Sequence, residues 1–171
     1  SRIFLGVTTS GLTTTSVYAK ANASNYLRLR LDTTNATSNT FFDLVNGLVD
    51  SSNYSIDAKI ESVGNGWYRC SMVPNDPTTI VRLYPAEQTS TTDPTGSIYI
   101  QDAQVELGLV ATPYIETGAS TAQAGILENT PRLDYSGGAT CPSLLLEPSR
   151  DNKIVQSEYF GGWTANTTIT A

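Results

Sequence analysis

The chain has 171 residues, of which 15% are charged, with 16 acidic against 10 basic side chains and no histidine. A net charge of −6 without any basic run argues against a nucleic-acid partner, and no apolar stretch approaches the roughly 20 residues of a membrane span. Without histidine, Ser-His-Asp and Cys-His catalysis and the commonest metal ligand are gone.

Ile3-Phe4-Leu5 already reads as the interior of a strand, so the chain is expected to be a piece of something longer. Period-two alternation filled by β-branched and aromatic residues then recurs. Thr15 to Lys20 is one such segment. Tyr26-Leu27-Arg28-Leu29-Arg30-Leu31 is the cleanest, with three leucines on one side and Tyr26, Arg28 and Arg30 on the other. Thr40 to Val45 precedes a turn at Asn46-Gly47. Ser55 to Glu61 places Ile56, Ala58 and Ile60 inward, and leaves Asp57 and Glu61 on a polar face. Gly64-Asn65-Gly66 suits positive φ. Trp67 to Val73, Thr79 to Tyr84 and Ser97 to Leu107 complete the set.

Strands at this spacing, with no amphipathic helix between them, predict an all-β, antiparallel β-sandwich over residues 1–117. The pattern weakens after Thr117. Residues 118–150 read as an extended connector containing Pro131, Pro142 and Pro148. Residues 151–171 carry strand-like Ser157-Glu158-Tyr159-Phe160, Trp163 and Thr167 to Thr170, a segment of a second module or one given to a neighbouring subunit. Cys70 and Cys141 lack the spacing of a zinc site and are read as free thiols, with a disulfide between them left open.

Several segments resemble the jelly-roll modules of phage tail and fibre proteins, which are themselves similar to carbohydrate-binding modules. They are Ser16-Val17-Tyr18-Ala19-Lys20, Gly64-Asn65-Gly66-Trp67-Tyr68-Arg69, Ile100 to Glu106 and Ala111-Thr112-Pro113-Tyr114-Ile115. Asp134 to Gly138 and Cys141 to Pro148 resemble a connector of such tail proteins, and Ser157 to Trp163 resembles the opening strand of a next copy. The resemblance implies a jelly roll, a virion or extracellular setting, a cell-surface glycan as partner and assembly with copies of itself. It also implies that Asp102 stands where related modules put an acidic residue near a structural calcium; the family's doubled acid is here Gln101-Asp102. No other cofactor is expected.

A non-enzymatic tail or fibre module that binds glycan is therefore the expectation. The alternatives are a filament or spacer subunit without ligand, and an accessory carbohydrate-binding module of a polysaccharide-degrading enzyme. Trp67 either packs at the sandwich edge or offers its ring to a sugar, and Arg69 either stacks on that indole or pairs with Glu61. Tyr26, Tyr84 and Tyr99, with Arg28, Arg30 and Arg82, are expected to line one face. Trp67, Tyr84, Tyr26 and Arg82 are the leading binding residues. A glycosidase needs two carboxylates; Asp43, Asp57, Glu61, Asp102 and Glu106 are the candidates, with no apolar shelter to raise one of them.

Overall fold

The computed structural model describes residues 2–87, 96–124, 133–134, 143–144, 150–154 and 164–165. Among these the protein is all β, in two antiparallel sheets packed face to face. The larger sheet contains β1 (Ile3–Gly6), β3 (Tyr26–Thr33), β4 (Thr37–Asp43), β5 (Leu48–Asn53), β8 (Thr78–Ala86) and β14 (Thr164–Ala165), in the order β14-β1-β8-β3-β4-β5. The other runs β6-β7-β2-β9, from β2 (Thr13–Ala21), β6 (Ser55–Gly64), β7 (Trp67–Pro74) and β9 (Ile98–Leu107). Short ladders join β10 (Ala122–Ala124) to β13 (Arg150–Asn152), and β11 (Leu133–Asp134) to β12 (Ser143–Leu144).

The alternation of β3 decides the layering. Leu27, Leu29 and Leu31 have no exposed surface and meet Val17, Ala19, Cys70, Met72 and Val105 of the opposite sheet in one cluster. Each such leucine contributes about 1.5–3 kcal/mol on burial. Cys70 is a free thiol in this core, and its burial pushes the thiol's pKa far up; Cys141 lies outside the described residues.

β5 is a strand that alternation does not announce, because Leu48-Val49-Asp50-Ser51-Ser52-Asn53 is an exposed edge with little to bury. The chain changes sheets at Tyr54, whose φ is 56°. Its carbonyl accepts hydrogen bonds from Ser38 Oγ (2.6 Å) and the Asn75 amide (3.3 Å), which fixes the corner. Ile56 is not inward as expected. It sits in a bulge between Ser55 and Asp57 and is exposed, whereas Ala58 and Ile60 are half-buried. The Gly64-Asn65-Gly66 turn takes φ of 92°, 52° and 77°. Gly47, at φ 67°, has a second constraint: a Cβ there would lie 2.8 Å from the Tyr68 ring.

Two later segments close the sandwich. Residues 108–117 fold over one end of the β6-β7-β2-β9 sheet. There Glu106 accepts from the Thr112 amide (2.7 Å), and Gln104 Oε1 accepts from the Ile115 amide (2.8 Å). Residues 150–154 cover the free edge of β9. The Lys153 amide donates to the Val105 carbonyl (2.7 Å) and the Asn152 side chain takes the Val105 amide (3.2 Å). Asn152 also donates to the carbonyls of Ile115 (3.0 Å) and Ala103 (3.4 Å), and Ile154 enters the core. Residues 152–154 thus pack with the sandwich of residues 1–117. β14 pairs with β1 of the same chain, Ile3 opposite Ala165 and Phe4 opposite Thr164. The expected strands at Ser157 to Phe160 and Thr167 to Thr170 lie outside the described residues, as do Trp163, Pro131, Pro142 and Pro148.

Asn152 and Ile154 have no exposed surface, so this closure carries stability. Asn152→Ala leaves the Val105 amide and buried carbonyls unpaired, and is expected to cost about 1–3 kcal/mol. Ile154→Ala should cost about 2–5 kcal/mol. Urea unfolding at unchanged m-value checks both.

Candidate functional site

A two-sheet sandwich presents two outer faces, and the cross-strand registers assign every candidate to one of them. Tyr26, Arg28, Arg30, Arg82 and Tyr84 leave the β1-β8-β3-β4-β5 sheet together, since Arg28 pairs with Tyr84 and Arg30 with Arg82. Trp67 and Tyr99 leave the other sheet, on the opposite side of the core, both in register with Lys20 of β2. The four leading binding residues therefore do not form one site. Tyr99 also does not share a face with Tyr26 and Tyr84.

On the first face the aromatic and basic groups satisfy one another. The Arg28 guanidinium lies 5.0 Å from the Tyr84 ring centroid and 5.6 Å from that of Phe41, and reaches Asn39 Oδ1 through Nε (3.0 Å) and Nη2 (2.8 Å). Arg82 lies 5.2 Å from the Phe4 ring and binds Asp32 Oδ2 through Nη2 at 2.6 Å and Nε at 2.9 Å. Arg30 holds the other carboxylate oxygen at 2.9 Å. Tyr26 donates to Asp43 Oδ2 (3.2 Å), while Asp43 Oδ1 caps the following turn by accepting from the amides of Val45 and Asn46. Tyr84 is only 2% exposed and Arg28 only 7%, so Tyr84 offers no ring to a sugar. Alternation marks these residues as outward, but their mutual packing closes the face.

Burial of Asp32 works to raise its carboxyl pKa, but the hydrogen bonds and charges of Arg82 and Arg30 outweigh that and hold it below the usual range. A carboxylate depressed in the folded state contributes stability above its unfolded value, near 3.9, and loses it as pH falls through the folded value. Asp32→Asn should therefore destabilise the protein at neutral pH and flatten the loss of stability as pH falls below about 4. Thermal melts across that range read it.

The second face is covered at one end and open at the other. At the covered end Gln104 and Glu106 are buried under residues 108–117, and Arg69 is held there by the Thr112 carbonyl and Ser16 Oγ. Arg69 lies 5.6 Å from the Tyr18 ring centroid; it stacks on that ring and turns to the covering segment. Its neighbour in register, Glu61, is exposed.

At the open end Trp67, Lys20 and Tyr99 form one row across β7, β2 and β9. Tyr18 and Gln101 stand in the next row. Trp67 is half-buried and Tyr99 is 53% exposed. The two aromatic positions are two strand spacings, about 10 Å, apart. Gly66 makes room beside them: a Cβ there would lie 3.4 Å from Lys20 Cε, so the lysine stem rests on the glycine backbone. Among the described residues, no protein partner is hydrogen-bonded to the Trp67 indole N–H, the Tyr18 and Tyr99 hydroxyls, the Gln101 amide or the Lys20 ammonium. Trp67 was visible in the sequence as a candidate. Lys20, Tyr18 and Gln101 were not, since their nearness to it depends on strand order.

Beside the covering segment, Thr14, Lys59, Glu61, Ser71 and Val110 line a groove of about 90 Å³. This suits a few waters and falls well short of the several hundred cubic ångströms of a small-molecule pocket. The Asp57–Lys59 pair, 2.8 Å apart, occupies one side of it. Asp102 lies in the bulge where β9 runs past Val17, at φ 53°, and its burial raises its pKa. Calcium takes about six to eight oxygens. Among the described residues no group of three or more Asp, Glu, His or Cys side chains gathers at Asp102 or elsewhere.

No protein-family model matches the chain, and none of the curated proteins matches it significantly.

The difference between the two faces has a direct consequence for mutation. Tyr84→Ala empties a buried aromatic site and should cost about 3–5 kcal/mol. Tyr99→Ala removes a ring standing in solvent and should stay within about 0.5 kcal/mol of the parent. Denaturant unfolding of the two variants side by side makes the comparison.

Proposed function

We propose that this protein is a non-enzymatic module of a phage tail or fibre that meets a cell-surface glycan with the open end of the β6-β7-β2-β9 sheet. The observation carrying the proposal is the row Trp67–Lys20–Tyr99 with Tyr18 and Gln101 beside it. Sugar rings carry C–H faces that pack on flat aromatic groups, and hydroxyls that need polar partners close by. This row supplies two aromatic positions separated by a flexible donor, with an amide and phenol hydroxyls in reach. The virion setting is supported by the resemblance of the Gly64 to Arg69, Ile100 to Glu106 and Ala111 to Ile115 segments to tail and fibre modules.

The absence of catalysis is supported by how the carboxylates are used. Asp43 caps a turn and accepts from Tyr26. Asp57 pairs with Lys59, and Glu106 is buried against Thr112 and Gln104. A glycosidase needs one carboxylic acid and one carboxylate facing each other across a substrate cleft, and these three groups are committed elsewhere. Burial does raise the Asp102 pKa, against expectation, but exposed Glu61 on β6 stands three strand spacings, about 14 Å, from β9, too far to pair with it.

A second proposal, a filament or spacer subunit without ligand, draws on a different observation. Val45, Leu48, Tyr54 and Ile56 are all exposed apolar side chains around the adjacent edges β5 and β6. A copy of the chain docking there would cover them.

A glycan array followed by calorimetry distinguishes the two. Under the first proposal the protein retains particular glycans without releasing reducing ends, and Trp67→Ala and Tyr99→Ala each weaken binding about five- to tenfold, the worth of a stacked ring. Retention unchanged in both variants, or reducing ends released from a retained polysaccharide, overturns it.

A further inference from the structure

The open row on the β6-β7-β2-β9 sheet holds a feature that stacking alone does not use. Lys20 stands between Trp67 and Tyr99, in register with both. Its ammonium has no carboxylate or carbonyl partner among the described residues. The other basic residues described on the outer faces are engaged. Arg30 and Arg82 hold Asp32, Arg28 holds Asn39, Lys59 pairs with Asp57, and Arg69 is bound to Thr112 and Ser16. In a chain of net charge −6, an unpaired ammonium flanked by two aromatic positions is a local exception.

Its surroundings also leave it positive. On this face Glu61 lies two strands across from Lys20 and one row along, opposite Arg69. Standard sheet spacings put that at roughly 12 Å, beyond the Debye length of about 8 Å at physiological salt. Asp102 follows Gln101 in the β9 bulge, beyond the next row, and forms no ion pair with Lys20. The lysine stem packs against Gly66, which limits the directions its head can take.

We infer that the glycan is acidic: a polysaccharide of carboxylate-bearing sugars, bound with a ring on Trp67 or Tyr99 and its carboxylate on the Lys20 ammonium. This rests on the glycan-binding proposal and adds the ligand class to it. Stacking handles the C–H face common to neutral and acidic sugars, so the charge is what discriminates. The pair would be charge-assisted and partly exposed, hence weakened by salt.

The test uses the full chain and a panel of uronate oligosaccharides and sialylated glycans, each beside its carboxyl-reduced, neutral counterpart. Wild-type protein is expected to bind at least one acidic form about tenfold more tightly than its reduced partner, with the preference shrinking as sodium chloride rises. Lys20→Met keeps the stem on Gly66 and removes the charge. It should abolish the preference, weakening the acidic form more than the reduced form, while Lys20→Arg should retain most of it. Trp67→Ala should weaken both forms alike. Equal binding of acidic and reduced forms by the wild type overturns the inference and leaves the glycan proposal standing. So does a Lys20→Met variant that keeps the preference, or that loses both forms equally with an unchanged melting temperature. Failure of every acidic and reduced form to bind overturns the glycan proposal, and the inference with it.

Discussion

Leu27, Leu29 and Leu31 leave β3 on one side and are wholly buried against Val17, Cys70 and Met72. A one-residue slip of β3 would send all three leucines into solvent and bring Arg28 and Arg30 into the core. The register against β4 and β8 is therefore fixed, and with it the company of Arg28, Arg30, Tyr84 and Arg82 on the far side. The opposite sheet is set in the same way. Val17 and Ala19 of β2 face inward, so Tyr18 and Lys20 must face outward, into line with β7 and β9.

Both outer faces thus follow from one core, yet they end up chemically different. On the larger sheet four arginines meet Phe4, Phe41, Tyr84, Asn39 and Asp32, and the cationic groups are used up in ring contacts and ion pairs. Arginine suits this, because its planar guanidinium lies flat on a ring while its edge donates hydrogen bonds. On the smaller sheet the covering segment of residues 108–117 takes Arg69, Gln104 and Glu106 out of solvent, and stops short of Trp67, Lys20 and Tyr99. What remains open is a short row of aromatic and polar groups on rigid strands.

The edge of β9 is closed by a side chain more than by a strand. Asn152 offers one acceptor and two donors from a single planar amide, which matches the alternating amide and carbonyl groups of an open strand edge. It meets the Val105 amide and the Ala103 carbonyl of β9, and the Ile115 carbonyl of the covering segment. This ties the end of the long connector to the same place where residues 108–117 begin to wrap, so the two late segments support each other. Edges left bare invite pairing with another chain; here that protection comes from residues nearly fifty positions away in sequence.

Strand positions were readable in the chain itself wherever one face is buried, because burial writes a period of two into the sequence. Tyr26 to Leu31 and Trp67 to Val73 show this, and the sandwich follows from such segments in succession. β5 was silent because an exposed edge buries too little to leave a pattern, and Ile56 misled because a bulge adds a residue and shifts the alternation. Alternation also says only that a side chain points away from the core. It cannot say whether Tyr84 then stands in water or lies under an arginine, nor that Lys20 and Tyr99 are neighbours of Trp67. Those facts depend on which strands pair and in what register, so the tertiary structure alone separated Tyr84 from Trp67 and brought Lys20 between two aromatic rings.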